Sequence, residues 1–271
     1  MWKASAPVTV GVDGSDAALN AAKWAVDEAI SRDVPLRIVH VTHIEGAPAS
    51  PQDAFRLDVQ YAESSLRAAT AAVEGTGKPV KIETDILWGS PDTALINESR
   101  NASLVCVGSV GIGAIASQLW GSTAASLAEK AYCPVAIVRS PHNPPVSGPD
   151  WIVVAVQGHA KDESVIEHAM NEARLRHAPV LAVGVWEEDF GEIRYDELDR
   201  RIENWAKLYP DVHVKPVATR AGIARFLADN KDESVQLTVV GNADAADVVQ
   251  IIGPHSRPFV AHGDCSVLVV H

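Results

Sequence analysis

Val8-Thr9-Val10-Gly11-Val12-Asp13-Gly14-Ser15 is an apolar run that stops at a glycine, a carboxylate and a second glycine. It returns 144 residues later as Ile152-Val153-Val154-Ala155-Val156-Gln157-Gly158-His159. The same offset sets Val39-His40-Val41 against Val183-Gly184-Val185. Further on, Cys133-Pro134-Val135-Ala136-Ile137-Val138-Arg139 returns as Cys265-Ser266-Val267-Leu268-Val269-Val270-His271, now at an offset of 132. A chain that matches itself in order is a tandem duplication, here with a shortened second copy. Four prolines between Ser140 and Pro149 oppose regular structure and make a semi-stiff linker. The division expected is a domain over 1–140, a linker over 141–149 and a domain over 150–271.

Within each copy, short apolar runs alternate with longer amphipathic ones. The strands expected in the first copy are Val8–Val12, Leu36–Val41, Val80–Leu87, Leu104–Val107 and Val135–Val138. Those of the second are Ile152–Val156, Val180–Val185, Val212–Val217, Leu237–Val240 and Val267–Val270. Near-continuous Val and Ile suit strands covered on both faces, and parallel strands need crossovers. The helices between them in the first copy are expected over Ala17–Ser31, Ala54–Val73, Asp92–Ser99 and Ala124–Ala131. Ser15 or Asp16 caps the first, and Ser90-Pro91 opens the third. The fold class is therefore α/β, as two tandem doubly wound domains of five parallel strands. A last strand ending at Val138 or Val270 would leave an open sheet edge, so the halves are expected to cover these edges as a pseudo-twofold pair.

The chain has 271 residues, 47% hydrophobic and 21% charged, with a formal net charge of -12. That balance argues against a broad nucleic-acid surface, which needs clustered Lys and Arg. No apolar run reaches the roughly 18 to 20 residues that span a bilayer, so no membrane partner is expected. The N-terminus lacks a signal-peptide core. The three cysteines, odd in number and set in or beside apolar runs, suit buried thiols in a reducing cytoplasm.

Ligands of open α/β sheets bind beyond the carboxyl ends of the strands, where strand order reverses. Three segments of the first copy meet that condition: Asp13 after the first strand, Val41 after the second, and Gly108-Ser109-Val110-Gly111 after the fourth. After nine intervening residues beyond Gly111 stand Gly121-Ser122-Thr123. Asp13 can accept from ribose hydroxyls or help hold a divalent ion. The main chain at Val41 can pair with a purine edge, and the glycine loop with the following helix start can cradle phosphate. Gly108 through Thr123 contains no Lys or Arg. Phosphate charge would then be met by amide N–H groups, the two hydroxyls and Mg²⁺, which describes a binding cradle rather than a hydrolytic site.

Other readings fare worse. Gly111-Ile112-Gly113-Ala114-Ile115-Ala116 imitates a dinucleotide fingerprint but follows the fourth strand instead of the first, with no acid at the required distance. Gly77-Lys78 is followed by Pro79 and lacks the glycine of a P-loop. His40 and His43 at a strand end point to different faces and make no metal pair. Trp24, Trp88 and Trp120 are expected in the core or an interface.

These segments taken together resemble the universal stress protein family. Gly11-Val12-Asp13-Gly14-Ser15, His40-Val41, the pattern Gly108-x2-Gly111-x9-Gly121-Ser122 and Cys133-Pro134-Val135 carry the likeness, which extends over nearly the whole chain in the tandem form. It implies an adenine nucleotide α-hydrolase-like domain and dimerisation through the last strand, whether as an intramolecular pseudo-dimer or a homodimer. It implies a role in stress survival, and ATP held at Gly11, Asp13, Val41, Gly108, Gly111, Gly121, Ser122 and Thr123. The second copy departs from the pattern: Gln157 and His159 replace Asp13 and Ser15, and Asp244 and Pro254 intrude on the loop, so only the first copy is expected to bind. The function expected is an ATP-binding regulator with little or no turnover. A slow ATPase and a nucleotide-free interaction module are the alternatives.

Overall fold

Runs of Val, Ile and Leu that bury both faces set four strands of the first unit, β1 (Val8–Gly11), β2 (Leu36–Thr42), β4 (Leu104–Gly108) and β5 (Val135–Val138), and the more polar β3 (Ile82–Trp88) completes the set. The structure, a computed structural model, describes residues 6–42, 51–109, 121–139, 149–156, 162–185, 193–219, 222–230, 234–244, 251 and 265–271. The five strands pair in parallel in the order β3-β2-β1-β4-β5. β1 is central, and its Val8, Thr9 and Val10 are fully buried. β3 is the outermost strand of this set, and accordingly its residues are half-buried or exposed.

The crossovers are α1 (Asp16–Ser31), α2 (Pro51–Glu74), α3 (Pro91–Glu98) and α4 (Ser122–Lys130). Right-handed crossovers put α1 and α2, which pack on each other, on one face of the sheet. The order reverses between β1 and β4, which sends α3 and α4 to the opposite face. α4 begins two residues earlier than its apolar pattern suggests. Gly121 takes the capping position, and Ser122 and Thr123 lie inside the first turn.

The second compact unit, residues 141–270, repeats this plan. β6 (Trp151–Val156), β7 (Val180–Val185), β8 (Val214–Thr219), β9 (Val235–Gly241) and β10 (Ser266–Val270) pair in parallel as β10-β9-β6-β7-β8. α5 (Asp162–Arg176), α6 (Ile193–Leu208), α7 (Ile223–Asp229) and a 3-10 turn at Asn242–Asp244 connect them. Strand by strand this is the order of the first unit.

The duplication is also visible where the first helix of each unit ends. In α1 the fully buried Glu28 pairs with Arg32; in α5 the buried Glu172 pairs with Arg176 at 2.9 Å. Each carboxylate lies near a helix C-terminus, where the dipole disfavours it, and the arginine one turn on offsets that. Asp33 (φ 52°) and His177 (φ 51°) then enter the left-handed region. The Val34 amide donates to the Ala29 carbonyl, and the Ala178 amide to the Ala173 carbonyl, both at 3.0 Å. These are Schellman ends without the usual glycine.

Candidate functional site

β1 ends at Gly11, and the chain turns through Asp13 and Gly14 (φ 88°) into α1. The turn is held by the Asp13 carboxylate: Oδ1 accepts from the Ser15 amide at 3.0 Å and from the Ser15 hydroxyl at 2.6 Å. Ser15 in turn caps α1, its Oγ accepting from the Ala18 amide at 3.2 Å. From the other side the Tyr61 hydroxyl of α2 donates to the Asp13 carbonyl at 2.7 Å. Tyr61 also meets the edge of His40 on β2, ring centroids 5.7 Å apart. Burial pulls the His40 imidazole below its ordinary pKa, against the Val12 carbonyl and the Asp13 charge, and its Nδ1 has no partner among the described residues.

β2 outruns β1 by three residues at this edge, since Gly11, the last residue of β1, is opposite Val39 and β2 ends at Thr42. Peptide groups of alternate residues in β2 point to opposite neighbours: the Val39 carbonyl accepts from the Val12 amide at 2.9 Å, and the Thr42 carbonyl accepts from the Gly89 amide at 3.1 Å. Val41 therefore turns its N–H and C=O toward the side where β1 has already left the sheet. Among the described residues no backbone partner meets them there.

On the far side of β1, β4 ends at Gly108 and Ser109. The Ser109 amide donates to the Val138 carbonyl at 3.0 Å, and its carbonyl accepts from the Gly121 amide at 3.4 Å. That second contact ties the start of α4 to the end of β4. The amides of Ser122 and Thr123 have no acceptor among the described residues, and no side chain caps the helix. Asp13, Val41, Gly108, Gly121, Ser122 and Thr123 thus stand along one sheet edge, at the reversal of strand order. Gly111 lies outside the described residues, as do His43, Trp120, Gln157, His159 and Pro254.

Two of the glycines have a packing role that the sequence did not disclose. A Cβ on Gly108 would stand 2.8 Å from the backbone carbon of Ala17, and one on Gly11 2.8 Å from the Leu95 Cδ1. The first lets α1 approach β4, and the second admits α3. Gly121 differs, because a Cβ there meets nothing closer than 3.7 Å. Tyr61 gave no sequence signal at all, since its bond to Asp13 depends on how α2 crosses the sheet. Trp88 is not a core residue: it is 47% exposed and stacks on Phe55. In the second unit Gly241 ends β9, and an Asp244 carboxylate oxygen lies 3.9 Å from where its Cβ would stand. Cys106, Cys133 and Cys265 are buried free thiols, and burial pushes Cys133 up to about 12. No described helix is long and apolar enough to cross a membrane.

Comparison with known proteins agrees with this architecture. The sequence model described as the universal stress protein family matches residues 6–139. Universal stress protein Rv2624c of Mycobacterium tuberculosis is 51% identical over 263 residues, covering 97% of this chain and 95% of that protein. Universal stress protein Rv3134c of the same organism is 41% identical over 271 residues, with the same two coverages of 97% and 95%. A solved universal stress protein from Archaeoglobus fulgidus superposes with a TM-score of 0.71 at 17% identity, over 98% of this chain and 96% of that one. With curated relatives matched from end to end in both copies, the chain belongs to the universal stress protein family.

Proposed function

We propose that the first unit binds ATP at the edge formed by Gly11, Asp13, Val41, Gly108, Gly111, Gly121, Ser122 and Thr123, and that the bound nucleotide acts as a signal with little turnover. The observation that carries this is the start of α4. Two amides with no acceptor among the described residues, at the positive end of a helix dipole and beside two hydroxyls, stand where the sheet reverses, and this is the chemistry that suits a phosphate. The peptide groups of Val41 supply a donor and an acceptor one strand from β1, the complement of an adenine edge. Asp13 holds the turn between them in place.

The donor set fits Mg²⁺ riding on the phosphates rather than caged by protein. Among the described residues no three His, Cys, Asp or Glu side chains are grouped to hold a metal, whereas phosphate oxygens and water satisfy this ion well. The absence of Lys and Arg between Gly108 and Thr123 favours holding over cleavage, because phosphoryl transfer recruits cationic groups. The regulatory role and a cytoplasmic location are part of the same proposal. Equilibrium dialysis of the purified chain against ATP with Mg²⁺, followed by assay for ADP over hours, tests it. Saturable binding with negligible ADP is expected. Rapid turnover would favour the ATPase, and no binding the interaction module.

A further inference from the structure

The carboxyl edge of the first sheet continues past Val41 to a feature that the phosphate and ribose contacts leave unused. Trp88 is the last residue of β3, in register with Thr42 of β2. Its ring lies parallel to that of Phe55 on α2, with centroids 5.4 Å apart and an interplanar angle of 5°. The two rings are 47% and 46% exposed, and among the described residues they are the one parallel ring pair. Two large aromatic rings packed flat and half exposed join into one contiguous apolar patch, the kind of surface that marks a ligand groove or a protein contact.

We propose that the Phe55–Trp88 stack is the platform on which the purine ring of the bound nucleotide lies. The inference rests on the nucleotide reading above and assigns the base specificity of that same site. Order along the edge is the argument. β3, β2, β1 and β4 are successive neighbours, so Trp88, Val41, Asp13 and the start of α4 follow one another across about 14 Å at the usual strand spacing. Phosphate belongs at α4, so the sugar falls near Asp13 and the base beyond it, over Val41 and toward Trp88. Val41 can address only the edge of a base. A flat aromatic face is the complement of its π surface, and it accepts a purine more strongly than a smaller ring. Tyr61, which ties α2 to the Asp13 carbonyl, keeps the helix bearing Phe55 over this edge.

The test uses the full-length chain with W88L, W88F and F55L, and reads affinity for ATP by equilibrium dialysis and emission of formycin triphosphate, a fluorescent purine analogue that keeps the amino group and ring nitrogen of the adenine edge. Wild type is expected to bind both and to quench the formycin base by contact with the indole. W88L should weaken ATP about tenfold, while W88F stays within about twofold of wild type but loses the quenching. F55L should fall between them. Should W88L prove too unstable to assay, the loss of quenching in W88F at retained affinity decides by itself. Unchanged ATP affinity in W88L, with quenching absent in wild type, overturns the platform and leaves the nucleotide site standing. The same result accompanied by altered self-association of W88L would make the patch a contact between protein chains, which also overturns it. Failure of wild type to bind either nucleotide removes the nucleotide reading and the platform together.

Discussion

Gly11 and Gly108 end neighbouring strands and look alike on paper, but their surroundings differ. At Gly108 the atoms in the way are backbone, the carbon and oxygen of Ala17 at 2.8 and 3.0 Å; at Gly11 it is the tip of Leu95. Backbone cannot step aside without moving α1, whereas a leucine can change rotamer. Gly108→Ala is therefore expected to lose about 2–3 kcal/mol in a urea titration, and Gly11→Ala about 1 kcal/mol or less. Equal losses would contradict the packing described. The sequence singled out both positions for a ligand, and the structure shows that a neighbouring helix needs the space at each. Sequence alone could not tell a ligand's approach from a helix's, because that depends on which residue the crossover brings down on the strand end. Asp13 illustrates the same limit: its place at the edge was legible, its bonds to Ser15 were not.

Secondary structure was easier to read, and its errors are informative. Strand positions follow from Val and Ile runs separated by amphipathic stretches, whereas the order of the strands is a finding of the structure. Helix ends were less accurate because hydroxyl residues serve equally as caps or first-turn residues. Ser122 is the consequential case, since inside α4 its amide is one of the two with no acceptor among the described residues. Ser122→Asp should suit the helix, adding a carboxylate at the dipole's positive end, and leave the urea midpoint equal or slightly higher. The same charge would repel phosphate, and ATP affinity should fall tenfold or more. A variant that binds ATP as wild type does would exclude α4 from the cradle. At the other end of a helix, Asp33 and His177 are exposed residues held at positive φ. Glycine there relieves the steric cost of the left-handed region at some loss of chain entropy. Asp33→Gly and His177→Gly are each expected to gain about 0.5–1 kcal/mol, read from denaturant midpoints.

At the level of the whole molecule, two units of one topology differ in the chemistry of their strand ends. The first has Asp13 after β1 and, among the described residues, amides without acceptors at α4, whereas the second places the Asp244 carboxylate beside the end of β9. Negative charge there opposes a polyphosphate. Calorimetric titration of the full chain is expected to give one ATP per chain, and a stoichiometry of two would show that the second unit binds as well. The doubling itself was plain from the repeated strands, and the helix ends carry it as well. Asp33 and His177 share no chemistry, yet their φ angles agree within a degree, at 52° and 51°. What gene duplication preserved at that corner is a torsion instead of a side chain. The offset of 144 that aligns the repeated strands also sets Asp33 against His177, so at this corner the two halves keep one way of ending a helix although the residue differs.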